Sequence, residues 1–247
     1  MDISLAATFL AWLVGGFVVM VTGLGGAMMV MPVLVFFVDL QTVVLSTIVA
    51  GLAGCLFQVW HFRAAVDWRR SWWLLLFSLP GSLAGVLALK YVPLFWLESC
   101  LGLLLIFFVC WQLRANSMAS RGMSRESLVE LALAGAAAGF FNGSVAMGGP
   151  PMAVLSCRAC WDKDMARGVF GVFYLLNLVA TAGMFVWQGL FTSAIWPYAL
   201  AAVPGMLLGM AAGIPASRRI SQSLFRNVLL IFIFCGALSL LYKAFAR

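Results

Sequence analysis

The groups best suited to bind a ligand lie in two glycine-rich stretches of eleven residues, 16–26 and 139–149. Both open with Gly-Phe, close with Gly-Gly and interrupt an apolar run. A helix that restarts after such a stretch presents unpaired N–H groups and about half a positive charge, which suits an oxyanion. We therefore expect the helices after Gly26 and Gly149 to hold an anion between opposed ends. Pro150 fits a first turn, where its missing N–H is not needed.

Polar side chains in and near these stretches extend the candidate site. The predicted substrate-binding residues are Thr22, Gly23, Gly25, Gly26, Asn142, Gly143, Ser144, Gly148, Gly149, Gln58, Asn177 and Thr181. The last three lie in later apolar segments, where a pathway role and hydrogen bonds between helices are equally compatible with the sequence. Isolated glycines would indicate only close helix packing. Two matched breaks favour a transport site.

The composition predicts an all-α polytopic membrane protein. Mean hydropathy is +1.07, 64% of residues are hydrophobic and 9% are charged, which excludes an ordinary soluble domain. Long uncharged runs provide the roughly 20 apolar residues that a spanning helix needs. The net charge of +7 is explained by membrane topology, so no nucleic-acid partner is expected. The N-terminus lacks the basic region of a cleavable signal peptide.

Neither a cofactor nor an enzymatic activity is expected. Only Cys157 and Cys160, among six cysteines, have a spacing typical of metal or redox sites, and no second pair or zinc-like histidine partner accompanies them. No Walker-type sequence, His-Glu-x-x-His or Gly-x-Ser-x-Gly is present. ATP hydrolysis by this chain and intramembrane catalysis are therefore not expected.

The chain reads as a duplication, with a first repeat at 1–113, a polar cytoplasmic linker at 114–126 and a second repeat at 127–247. Asp39 and Asp162 are separated by the same number of residues as the two glycine stretches. Two Pro-Gly-x-x-x-Gly motifs, at 80–85 and 204–209, are separated by one residue more. Each repeat is predicted to contain a glycine-broken segment and three spans. The broken segments are 5–37 and 127–157, and the spans lie near 42–60, 71–89, 94–113, 167–188, 194–213 and 224–242. The glycines of the two motifs, Gly81, Gly85, Gly205, Gly209 and Gly213, are expected to pack helices within one chain.

The distribution of Lys and Arg selects the topology. If each broken segment crosses the membrane once, the basic residues divide 8 to 7, which gives no bias. If each broken segment returns to the side it entered from, 12 of the 15 basic residues share one side, as the positive-inside rule requires. Only Lys90, Lys243 and Arg247 face the other side. Both termini are then outside, the second repeat is inverted, and the two breaks enter from opposite faces.

Several of these residues resemble a known family. Gly-x-Gly-Gly at 23–26, Met31-Pro32, the sequence 64–68 and Gly-Gly-Pro-Pro at 148–151 resemble the sulfite exporter TauE/SafE family over essentially the whole chain. The resemblance implies export or uptake of small sulfur-containing anions, such as sulfite or organosulfonates, across a bacterial-type inner (plasma) membrane. The expected partners are the anionic substrate, the lipid bilayer and a coupling ion, H⁺ or Na⁺. The exact substrate is not implied.

Two functions of different classes remain open at this point. The leading hypothesis is a secondary transporter that binds its anion at the two breaks. The alternative is a membrane assembly or scaffold protein without transport activity. A scaffold would not need matched inverted breaks, and it predicts no substrate flux.

Overall fold

A computed structural model describes residues 3–93, 126–159 and 161–219, together with residues 95, 96, 99, 103, 106, 107 and 110. The predicted span near 224–242, most of the span near 94–113, Cys160 and all of the linker except Glu126 lie outside the described residues.

The described part of the chain is helical. It contains eight helices and a short 3₁₀ helix at Arg63–Ala65. The helices are α1 (Ile3–Thr22), α2 (Gly26–Leu34), α3 (Leu40–Phe62), α4 (Trp68–Tyr91), α5 (Leu128–Val145), α6 (Gly149–Arg158), α7 (Lys163–Trp187) and α8 (Ile195–Arg219). Six of them, all except α2 and α6, are long and apolar enough to cross a membrane. The prediction of an all-helical, multi-pass membrane protein is confirmed.

Polar caps set the starts of three spans earlier than the sequence predicted. Asp39 accepts a hydrogen bond from the N–H of Thr42 at 2.8 Å, and Asp67 accepts one from the N–H of Arg70 at 3.1 Å. Asp162 caps α7 by accepting a hydrogen bond from the N–H of Asp164, two residues on, at 3.2 Å. Because such caps precede the apolar residues from which spans are recognised, α3, α4 and α7 begin at 40, 68 and 163 rather than at 42, 71 and 167.

Glycines bring α8 against α1. A Cβ placed on Gly205 would lie 2.5 Å from the carbonyl oxygen of Phe9, and one on Gly209 would lie 2.0 Å from that of Leu13. The contacts advance in the same direction along both helices, so α1 and α8 run parallel.

The same arrangement joins α4 to α5. A Cβ on Gly81 would lie 2.1 Å from the carbonyl oxygen of Ala136, and one on Gly85 would lie 2.2 Å from that of Phe140. These helices also run parallel. The prediction that the Gly-x-x-x-Gly motifs pack helices of the same chain is confirmed.

Helices α3 and α7 cross the middle of the protein in opposite directions. Gly51 faces Leu178, whereas Gly171, seven residues before Leu178, faces Val59. Two clusters of buried apolar side chains surround this pair, and Leu24 packs against both clusters. The segments that follow α1 and α5 therefore meet beside α7.

Candidate functional site

The first interruption of helical structure lies between α1 and α2. Helix α1 ends at Thr22, and α2 begins at Gly26. Gly23 and Gly25 adopt left-handed conformations with φ of 86° and 100°, which glycine reaches without steric strain. A Cβ on Gly25 would have one neighbour within 4 Å, the Cγ1 of Val18 at 3.9 Å. Space is therefore present beside the start of α2.

Side chains from two other helices bind the carbonyl groups at this first interruption. Gln58 of α3, 3% exposed, donates hydrogen bonds to the carbonyl oxygens of Gly23 at 3.0 Å and Arg167 at 2.9 Å. The guanidinium of Arg167 donates to the carbonyl oxygen of Val21. Helix C-termini carry unsatisfied carbonyls and partial negative charge, so both side chains stabilise the end of α1.

Arg167 is held by further contacts. Its guanidinium lies 5.4 Å from the ring centre of Phe62 and forms an ion pair with Asp164 at 3.0 Å. Its side chain is 11% exposed. In the sequence, Arg167 lies near one end of its predicted span and indicates only the topology. Its proximity to Gly23, where a Cβ would lie 2.7 Å from its Cγ, becomes apparent only in the folded chain.

The second interruption lies between α5 and α6 and is stabilised by backbone hydrogen bonds within its own segment. Helix α5 ends at Val145, and Ala146 adopts a left-handed conformation with φ of 54°. The N–H groups of Ala146 and Met147 donate to the carbonyl oxygens of Asn142 and Phe141, at 3.0 and 3.1 Å. Every residue from 146 to 150 is buried. Pro150 occupies the first turn of α6 as predicted.

A buried hydrogen-bond network supports the second interruption. Asn142 Nδ2 donates to Asn177 Oδ1 at 2.6 Å. Asn177 Nδ2 donates to the hydroxyl oxygens of Ser78 at 2.9 Å and Ser82 at 2.8 Å. The network joins α5, α7 and α4. Neither serine was among the predicted site residues, although their spacing of four residues places them on one face of a helix.

The other predicted site residues bond within their own helix or lie close to the backbone of a neighbouring one. Ser144 donates its hydroxyl to the carbonyl oxygen of Phe140 at 2.8 Å. A Cβ on Gly143 would lie 2.4 Å from the carbonyl oxygen of Ser82, and one on Gly26 would lie 2.8 Å from that of Gly15. Gly143 and Gly26 therefore permit close approach of neighbouring helices, whereas the bond of Ser144 stays within α5.

The two interruptions contact each other through α2 and α6. A Cβ on Gly149 would lie 2.0 Å from the Cε of Met28 and 3.7 Å from the Cδ1 of Leu24. A Cβ on Gly148 would lie 3.1 Å from the Cε1 of Tyr174. The structure thus brings both glycine stretches and Gln58 together with Arg167, Tyr174 and Asn177 of α7, whereas Thr181 lies farther along α7. Thr22 lies at the first interruption, where its hydroxyl donates to the carbonyl oxygen of Val18 at 2.8 Å.

A cluster of charged groups lies at the start of α4 and just before α5. Glu126 forms an ion pair with Arg70, and it accepts a hydrogen bond from the indole Nε1 of Trp161 at 3.3 Å. Arg70 also pairs with Asp67. Burial raises the pKa of Glu126. Hydrogen bonds from Arg70, from its own backbone N–H and from Trp161 lower the pKa by a larger amount, so the pKa of Glu126 lies below its ordinary value.

Comparison with known proteins decides the family. The model of the family described as "Sulfite exporter TauE/SafE" matches residues 8–240. The chain belongs to this family. The resemblance seen in the sequence is therefore confirmed, and six apolar helices agree with a family of membrane transporters of sulfur-containing anions. Neither a curated protein nor a solved structure matches the chain.

Proposed function

We propose that this protein is a secondary transporter of small sulfur-containing anions, such as sulfite or organosulfonates. The match to the TauE/SafE family over residues 8–240 carries the proposal. We further propose that the anion binds where the two interrupted helical segments meet.

The helix directions support an inverted repeat. If α1–α4 correspond to α5–α8, then α3 and α7 are equivalent helices, and they run antiparallel, as inversion requires. The same correspondence makes the pair α1–α8 equivalent to the pair α5–α4, and the helices of both pairs run parallel. Inverted repeats with interrupted helices are a recurring plan of secondary transporters.

The first interruption is better suited to direct contact with an anion. The helix itself offers no partners for the N–H groups in the first turn of α2. Gly25 leaves space beside this turn, and the Arg167 guanidinium contributes positive charge at the end of α1. In α6, by contrast, Pro150 and Pro151 provide no N–H groups. We propose that Thr22, Gly23, Gly25 and Gly26 contact the anion, with Gln58 positioning them.

The second interruption provides the opposite wall of the proposed site. Gly148 and Gly149 lie against Tyr174, Leu24 and Met28. The network of Asn142 and Asn177 fixes their position, while Gly143 allows α5 to lie close to α4 and Ser144 bonds within α5. Thr181 lies farther along α7 and is fully buried.

The proposed topology places both termini and the α4 end near Val92 outside. It places the start of α5 near Ser127 in the cytoplasm. A variant without native cysteines allows a test with a membrane-impermeant thiol reagent in intact cells. Cysteine at Val92 should react from outside, and cysteine at Ser127 should react only after the membrane is opened. The reverse pattern would contradict the topology.

Flux measurements test the proposed function. Purified protein in proteoliposomes should exchange ³⁵S-labelled sulfite for internal sulfite faster than protein-free liposomes. Thiosulfate, methanesulfonate, acetate and neutral dimethyl sulfone serve as competitors, and imposed H⁺ or Na⁺ gradients identify the coupling ion. Folded protein that exchanges no sulfur-containing anion would contradict the proposal and would favour a scaffold role.

A further inference from the structure

Four polar side chains of α7 share one face of the helix. Arg167, Tyr174, Asn177 and Thr181 are separated by seven, three and four residues. At 3.6 residues per turn they lie within about 80° of one another, and they extend over about 21 Å of helix length. This face therefore runs from the first interruption past the second and on into the protein.

The hydrogen-bonding states of these side chains differ. Arg167 binds the end of α1 through one terminal nitrogen, while its Nε has no partner among the described residues, and both ends of the Asn177 amide bind other side chains. The hydroxyls of Tyr174 and Thr181 are buried, yet neither has a hydrogen-bond partner among the described residues. Thr181 is 0% exposed. Because buried polar groups are normally hydrogen-bonded, two such hydroxyls on one helix face indicate a partner that binds transiently.

The position of Tyr174 connects it to the proposed site. Its ring lies against Gly148, and Gly149, the next residue, is contacted by Leu24 and Met28 from the first interrupted segment. Tyr174 and Leu24 are both packed against the two apolar clusters. The tyrosine thus lies where the two interruptions meet.

We infer that Tyr174 is a specificity-determining residue, whose hydroxyl donates a hydrogen bond to an oxygen atom of the transported anion. Thr181, two turns farther along α7, provides the next hydroxyl donor on the same face. This inference rests on the proposed function and adds residues that recognise the sulfur oxyanion. A hydroxyl donor forms a stronger hydrogen bond with an anionic oxygen than with an uncharged oxygen. It also allows release, because a substrate on a transport path must bind weakly enough to leave.

Conservative substitutions separate hydrogen bonding from packing. Tyr174→Phe removes the hydroxyl and keeps the ring against Gly148. Thr181→Val removes a hydroxyl at constant shape, and Thr181→Ser retains it. Tyr198→Phe, at a half-buried tyrosine of α8, is the matched control. The measurements are the half-saturating concentration and maximum rate of ³⁵S-sulfite exchange in proteoliposomes, normalised to folded protein, together with thermal unfolding.

Tyr174→Phe should raise the half-saturating concentration of sulfite by about tenfold or more, as expected for a lost hydrogen bond to a charged ligand. It should reduce the preference for methanesulfonate over dimethyl sulfone as a competitor and leave thermal unfolding unchanged. Thr181→Val should raise the half-saturating concentration by a smaller factor, while Thr181→Ser and Tyr198→Phe should behave as the wild type.

Three results would overturn the inference, and they differ in what they say of the proposed function. A Tyr174→Phe variant with wild-type half-saturation would leave the transporter proposal intact and exclude the hydroxyl as a ligand. A fall in maximum rate and folded yield at unchanged half-saturation would assign Tyr174 a structural role. A folded wild-type protein that exchanges no sulfur-containing anion would refute both proposals.

Discussion

The two interruptions have similar sequences but are stabilised by different contacts. At the first, Gln58 of α3 and Arg167 of α7 bind the carbonyl oxygens of Gly23 and Val21, in addition to the backbone bond from the N–H of Gly23 to the carbonyl oxygen of Val19 at 2.7 Å. At the second, the N–H groups of Ala146 and Met147 bind carbonyls of their own helix. The first is only partly buried at Thr22, Leu24 and Gly25, whereas residues 146–150 are all buried.

The first interruption therefore depends directly on side chains of α3 and α7, whereas the second combines backbone bonds within its own segment with the Asn142–Asn177 bond to α7. The geometry of the first depends on where α3 and α7 lie, because Gln58 joins Gly23 to the Arg167 backbone. A relative movement of these two helices would change the first interruption directly. The backbone hydrogen bonds of the second are made within residues 141–147 and do not involve α3. We therefore expect substitutions near the first to affect transport and substitutions near the second to affect folding.

The largest effect is expected for Asn177→Leu. The substitution removes three buried hydrogen bonds and leaves Asn142 without its acceptor, which should destabilise the fold by about 2–4 kcal/mol. Thermal unfolding in detergent should fall markedly, while the protein that does fold should retain a near wild-type half-saturating concentration. Val179→Leu, on the exposed face of the same helix, is the control. A stable Asn177→Leu variant that loses affinity for sulfite would show that Asn177 binds the substrate rather than stabilising the fold.

Gln58→Leu should have the next largest effect. The carbonyl oxygens of Gly23 and Arg167 would lose their donor, at about 1–3 kcal/mol, and the first interruption would lose its fixed geometry. We expect a lower exchange rate and weaker half-saturation with most of the folded yield retained. Gln41→Leu is the matched control, because Gln41 makes a 3.4 Å bond to Leu190 at the other end of α3. Equal behaviour of the two variants would remove the special role of Gln58.

Alanine at Gly148 and Gly25 should separate packing from backbone strain. At Gly148 the new Cβ would lie 2.7 Å from the carbonyl oxygen of Ala138, and such overpacking destabilises by about 1–3 kcal/mol. Gly25→Ala has space for the Cβ, and its left-handed backbone should add about 1–2 kcal/mol of strain. We expect Gly148→Ala to lower folded yield more and Gly25→Ala to lower exchange per folded molecule more. Indistinguishable profiles would contradict the contrast.

The smallest effect concerns pH and lies outside both interruptions. Because the pKa of Glu126 is lowered in the folded protein, its ion pair with Arg70 stabilises the fold above the ordinary glutamate pKa of about 4.3. That stabilisation should be lost as pH falls through the lower, folded-state pKa. Thermal unfolding of Glu126→Gln should differ from wild type by about 1 kcal/mol or less at pH 7, and the difference should shrink below pH of about 4. If the difference in unfolding free energy between Glu126→Gln and the wild type grew on acidification, the prediction would be wrong.

Composition and uninterrupted apolar runs were sufficient to predict the membrane class, the four spans that correspond to α3, α4, α7 and α8, and the packing role of the Gly-x-x-x-Gly motifs. The other two long helices, α1 and α5, lie in the segments that were predicted as broken. The contacts that distinguish the interruptions were not predictable, because they join residues far apart in sequence. Gln58 and Gly23 are 35 residues apart, and Gln58 and Arg167 are 109 apart. Tyr174 was overlooked because an isolated tyrosine in an apolar span gives no local signal, and its unpaired hydroxyl is visible only after folding.

Amide hydrogen exchange tests the central claim most directly, because it reports on both interruptions in one experiment. The purified protein is compared with and without saturating sulfite, and dimethyl sulfone serves as the neutral control. If the anion binds the first turn of α2, sulfite should slow exchange in peptides that contain residues 23–29 and leave residues 146–152 unchanged. Protection confined to 146–152, or no protection in protein that exchanges sulfite, would contradict the account.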